Sequence, residues 1–169
     1  MERPTSGQTS QKEKMIKYAI GIDPDLHKSG LAVWSRTKKQ HNYIDSVGAF
    51  ELIQLLNLIK PGEALFFVDA GWLNGGYFHY ANFPPEFDTW HVNAQYAYLV
   101  KRGINVGENF GVGKFIVAYL IDVHGENNVR LVRPVNEKWD ATKLKQLTGW
   151  SKRTNPDSRD AARLCWQRI

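Results

Sequence analysis

The stretch Tyr18-Ala19-Ile20-Gly21-Ile22-Asp23-Pro24-Asp25 constrains this chain more than any other. Ile20 and Ile22 alternate with Ala19 and Gly21 and the run breaks at Pro24, which predicts a buried strand whose last residue is Asp23. A second apolar run, Gly30 to Trp34, follows a short turn-rich link, so the two form an antiparallel hairpin. A carboxylate at the end of a central strand is costly to bury unless it is paired or holds a cation. The rest of the chain is therefore read for groups that could serve Asp23.

Downstream, Arg36 to Asn42 reads as a polar turn, Tyr43 to Val47 as a third strand and Phe50 to Ile59 as a sheet-packed helix that Pro61-Gly62 ends. Ala64 to Val68 is a continuous apolar run suited to a strand covered on both faces, and it ends in Asp69. Two strands thus end in carboxylates, the first sign of a site. The segment from Gly71 to Trp90 is a long aromatic loop that includes Trp72 and Tyr77, whose rings could stack on unpaired bases or form a satellite core or subunit contact. His91 to Lys101 reads as a short helix and Gly107 to Asp122 as a stronger one with small residues early. Val129 to Val132 is a fifth strand and Ala141 to Thr148 a short basic helix. The last helix opens at Asn155-Pro156, a good N-cap followed by a residue favoured at the first helical position.

The 169 residues suit one domain, expected over 15–169 behind a disordered polar tail at 1–14 that lacks a secretory apolar core. No window approaches a membrane span, and a single cysteine, Cys165, fits a reducing cytoplasm. The net charge of +5 divides unevenly: residues 1–39 carry a net +4, residues 40–128 a net −5 and residues 129–169 a net +6. The densest excess, Arg130, Arg133, Lys138, Lys143, Lys145, Lys152 and Arg153, is either a solvated surface or a polyanion-binding face.

Asp157 and Asp160 lie three apart, on one face of the last helix. Acids in a first turn are favoured by the helix dipole alone. Their combination with two strand-terminal acids points instead to a shared cation. Hard divalent ions such as Mg²⁺ take oxygen ligands, and four acids could hold two of them. The five histidines are scattered, with no HxxxH or CxxC spacing, which argues against zinc.

The order of these motifs resembles the RuvC-like Holliday junction resolvases of the RNase H-like superfamily. The matches are Gly21-Ile22-Asp23-Pro24-Asp25 with Ser29-Gly30, then Val68-Asp69, then Val106-Gly107-Glu108-Asn109-Phe110-Gly111, and last Asp157-Ser158-Arg159-Asp160-Ala161-Ala162. The resemblance implies an α/β fold with a five-stranded mixed sheet, its first three strands antiparallel, flanked by helices. It also implies that Asp23, Asp69, Asp157 and Asp160 are catalytic ligands of two Mg²⁺ or Mn²⁺ ions in a homodimeric endonuclease that cuts branched, four-way-junction DNA. Lys138, Lys143, Lys145, Lys152, Arg153, Arg133, Trp72 and Tyr77 are the expected DNA contacts. Two departures stand out: the second acid is usually Glu and here is Asp69, and Asp25 replaces a common glycine. Competing expectations are a catalytically silent branched or single-strand DNA-binding module, an RNase H-like nuclease with another substrate, and the ATPase and sugar-kinase group, which shares a G-x-D-x-G strand end but needs two such domains.

Overall fold

The structure, a computed structural model, describes residues 15–74, 83–135 and 137–169. The expected tail and Tyr77 lie outside them. In chain order the elements are β1 (Tyr18–Asp23), β2 (Ser29–Ser35), β3 (Gln40–Val47), α1 (Ala49–Asn57), β4 (Ala64–Asp69), α2 (Val92–His124), β5 (Val129–Val132), α3 (Ala141–Thr148) and α4 (Pro156–Cys165). The strands form one five-stranded mixed sheet in the order β3-β2-β1-β4-β5. β1, β2 and β3 are an antiparallel meander, while β4 runs parallel to β1 and β5 parallel to β4. The α/β class, the five strands and the antiparallel first three are as expected from sequence.

Alternation along the strands divides the core into two layers. Ile20, Ile22, Leu31, Phe66 and Val68 point to one face, where they meet Leu52 and Leu56 of α1 and Ile116 and Leu120 of α2. Ala19, Ala32, Trp34 and Phe67 point to the other, against Leu144 of α3 and Ala161, Ala162, Leu164 and Cys165 of α4. The side chains on the second face of β1 and β2 are small because α4 lies directly on the sheet. A Cβ on Gly21 would overlap the carbonyl of Ala161, and one on Gly30 would overlap the carbonyl of Asp157. Those two glycines fix where α4 sits.

Two boundaries differ from the sequence reading. β3 begins at Gln40, which leaves a turn of Arg36–Lys39, with Lys39 in the left-handed region at φ 51°. Cross-strand pairing with Ser35 and Trp34 recruits Gln40 and His41 despite their polarity. The two helices expected at His91–Lys101 and Gly107–Asp122 are one helix, α2, of 33 residues. Its four glycines each cost about 1 kcal/mol relative to alanine, but no proline interrupts Val92–His124, so the hydrogen-bond ladder continues. It ends at Gly125, whose φ of 86° leaves the helical region.

Candidate active site

The site lies at the carboxyl edge of the central strands. β1 and β4 are parallel neighbours with Ile22 opposite Val68, so the next residue on each, Asp23 and Asp69, ends its strand at the same level. Both follow the alternation of Ala19, Gly21, Leu65 and Phe67 and so project to the α4 face. On α4 the Asn155 side chain accepts from the Ser158 amide at 2.9 Å while the Ser158 hydroxyl closes a capping box, which fixes the first turn. That turn presents Asp157 and Asp160, and α4 is held against β1 and β2 by the contacts that Gly21 and Gly30 permit. The four acids come from remote parts of the chain, yet each of Asp69, Asp160 and Asp157 acts electrostatically on Asp23.

The consequence is a carboxyl far from its ordinary state. Burial, then the charges of Asp69, Asp160 and Asp157, push Asp23 from 3.8 up to about 8, and Lys138 only partly offsets them. Asp157 is also raised, by burial first and then by Asp25 and Asp160. Asp69 and Asp160 are buried, and Asp160 pairs with the Lys138 ammonium. Lys138 lies on the loop before α3 and leaves its own side chain largely in solvent. Among the described residues, no three His, Cys, Asp or Glu side chains are gathered closely enough to hold a metal ion as they stand. The donor chemistry nonetheless suits a hard divalent cation: all four side chains offer oxygens, and their mutual repulsion is the kind that a cation between them removes.

A cleft of about 210 Å³ opens over Asp23 and Asp69, with Lys138, Trp72, Asn109 and Phe110 in its walls. Trp72 reaches it by packing its ring on Gly113 of α2 and edge-on against Phe110, with centroids 6.2 Å apart. Asn109 is a contribution from α2 that residue type alone does not reveal. Its carboxamide accepts from the Leu26 amide and donates to Asp25 Oδ2, both at 3.0 Å. Asp25 Oδ1 in turn accepts from the amides of His27, at 2.8 Å, and Lys28, at 3.3 Å. Asp25 is therefore the pin of the β1–β2 turn, which it ties to α2.

Of the expected DNA contacts, Lys138 and Trp72 line the cleft. Lys143 on α3 pairs with Glu137, and Lys152 lies 5.4 Å from the Trp150 ring centroid. Lys145, Arg153 and Arg133 are exposed, on α3, before α4 and after β5 respectively, and none of the three lines the cleft. No protein-family model, curated protein or solved structure matches this chain.

Proposed function

We propose that this chain is an RNase H-like, metal-dependent endonuclease that hydrolyses phosphodiester bonds in branched DNA, four-way junctions in particular. One observation carries the reading: Asp23, on the strand end the sequence singles out, lies within the electrostatic reach of Asp69, Asp157 and Asp160 and is pushed up to about 8 by burial and by them. Four carboxyl groups drawn together, Asp69 and Asp160 buried and Asp23 and Asp157 half-buried, are costly to ionise, and a site for divalent cations accounts for that cost. Two Mg²⁺ or Mn²⁺ ions held by Asp23, Asp69, Asp157 and Asp160 would stabilise the attacking and leaving oxygens of an in-line displacement.

The chain's own residues have separable roles in this scheme. Asp23 must give up its proton to become a ligand, so the metal-bound form and the protonated form compete. Lys138 orients Asp160 through their ion pair and, being mostly exposed at the cleft, is free at its outer side to meet a phosphate oxygen. Asn109 and Asp25 hold the β1–β2 turn, and Trp72 with Phe110 makes an apolar wall beside the acids. Asp69 is one methylene shorter than the glutamate common in the resembled family, which shortens the reach from β4.

The test is cleavage of a four-way junction beside linear duplex, in Mg²⁺ and in Mn²⁺. Wild type is expected to cut the junction preferentially, and Asp23→Asn to bind it without cutting. Absence of cleavage of any branched, flap or hybrid substrate in either metal refutes the proposal. The Lys138–Asp160 pair motivates a second reading, a catalytically silent branched-DNA-binding module in which lysine permanently takes the cation's place. Junction binding without cleavage, unchanged by Mn²⁺, would favour it.

A further inference from the structure

A second cavity, of about 470 Å³, opens between α3 and the end of α4. It is more than twice the volume of the cleft over Asp23 and Asp69 and falls in the range of ~300–1,000 Å³ of small-molecule sites. It adjoins that cleft without belonging to it. Lys138 lines the cleft while its chain neighbours Glu137 and Trp139 line the cavity, so one stretch of loop forms the wall between the two.

Local contacts fix each wall. Arg159 of α4 donates from Nε to the Trp139 carbonyl at 2.8 Å and from Nη1 to the Thr154 carbonyl at 3.2 Å, which ties the loop to the helix. Asp140 then caps α3 by accepting from the Lys143 amide at 2.7 Å, and Lys143 and Leu147, four apart, share one face of that helix. Trp139 is buried and meets Trp166 edge-on, with centroids 5.3 Å apart, which leaves the second indole half-buried at the cavity. Past Cys165 the chain leaves the helix, and Gln167 takes the left-handed conformation at φ 53°, uncommon outside glycine. That turn carries Arg168 over the Phe67 ring, 5.8 Å from its centroid.

We propose that this cavity binds a nucleotide, the base against Trp166 and Leu147 and the phosphate among Lys143, Arg163 and Arg168. Three cations there stand against one acid, and Glu137 pairs with Lys143 alone. Arg163 and Arg168 are in no ion pair among the described residues. Arg159 spends its guanidinium on the loop, whereas Arg163 Nε has no acceptor among the described residues. A phosphate gives both guanidinium groups the oxyanion that their forked donors match. An indole face is a platform for any base. Glu137 argues for a nucleotide over an acidic peptide: its carboxylate would repel the peptide's acids, yet it accepts from the N–H edge of a base. A free nucleotide and an unpaired unit of a DNA strand offer this same chemistry. The second source rests on the DNA-cutting reading, the first does not.

Binding is read on the full chain in EDTA, where no metal-dependent cleavage intervenes, with dAMP and a short single-stranded oligodeoxyadenylate as probes. Saturable quenching of tryptophan emission is expected. A strand that binds about tenfold tighter than dAMP, through its added phosphates, identifies the strand as the source, and equal affinity identifies the free nucleotide. Trp166→Phe is expected to lose most of the quenching while calorimetry still detects binding. The double substitution R163Q/R168Q is expected to weaken binding about tenfold and to lower the slope of its salt dependence by about 1–2, with circular dichroism unchanged. No saturable binding of either probe, quenching retained in Trp166→Phe, affinity unchanged in R163Q/R168Q, or competition by inorganic phosphate or oligoglutamate as strong as by dAMP would overturn the proposal. A chain that never cuts DNA can meet these expectations and one that cuts can fail them, so the two readings fall separately.

Discussion

Replacing Asp23 with asparagine is expected to remove the proposed activity and, in metal-free solution, to make the protein more stable. In the folded chain the Asp23 carboxyl is raised from 3.8 to about 8, so it retains a proton over a range where the unfolded chain has lost it. When the folded state binds more protons than the unfolded state, stability falls as pH rises, here from about pH 4 to about pH 8. At about 1.4 kcal/mol per unit, holding that carboxyl neutral in the fold costs on the order of 4 kcal/mol at pH 7, and the full gap is reached only above pH 8. Asparagine fills nearly the same space without that titration. In EDTA, Asp23→Asn should therefore be more stable than wild type by up to about 4 kcal/mol at pH 7, and the advantage should vanish near pH 4. Urea unfolding of both proteins across this range reads it directly. A variant less stable than wild type at pH 8, or a difference that does not change with pH, would refute the electrostatic reasoning about the site.

Other expectations follow from single contacts. Gly30→Ala drives a methyl into the Asp157 carbonyl, so it should lift the start of α4, cost about 2–3 kcal/mol in unfolding and weaken Mn²⁺ binding in calorimetry. Asn109→Ala removes the acceptor for the Leu26 amide and the donor to Asp25; faster amide hydrogen exchange at residues 26–28 should report a looser β1–β2 turn. Lys138→Gln should weaken junction binding and lower the slope of its salt dependence by about 1, with circular dichroism unchanged. Burial lowers His41 from 6.5 to about 4, so the unfolded chain binds the extra proton between those values and stability falls as pH drops through them. In an Asp23→Asn background, where the opposing titration of Asp23 is gone and that of Asp157 is common to both proteins compared, His41→Phe should flatten that acid limb by roughly 3 kcal/mol in urea unfolding.

The parts of the fold legible in the sequence are those where pattern and backbone agree. The alternation around Ile20 and Ile22 with the stop at Pro24, the apolar run into Asp69 and the Asn155-Pro156 cap each specify a local structure that the tertiary context leaves in place. The length of α2 was less visible, because glycines weaken a helical pattern without breaking it and their separate causes appear only in three dimensions. Gly113 gives room to Trp72, while Gly107 and Gly111 face open space. The start of β3 was missed for a related reason: Gln40 and His41 carry no strand signal of their own and are recruited by β2. At the site, residue type pointed to the four acids. The fixtures around them, Gly21 and Gly30 under α4 and Asn109 on Asp25, act through steric fit and side-chain hydrogen bonds, for which sequence spacing is a poor guide.

The most direct test of the central claim is a Mn²⁺ titration in the presence of a non-cleavable four-way junction, followed by electron paramagnetic resonance for wild type and Asp157→Asn. The account predicts saturable binding of two ions per chain in wild type and the loss of at least one of them in the variant. Wild type that binds no Mn²⁺ saturably, with or without junction, would contradict it.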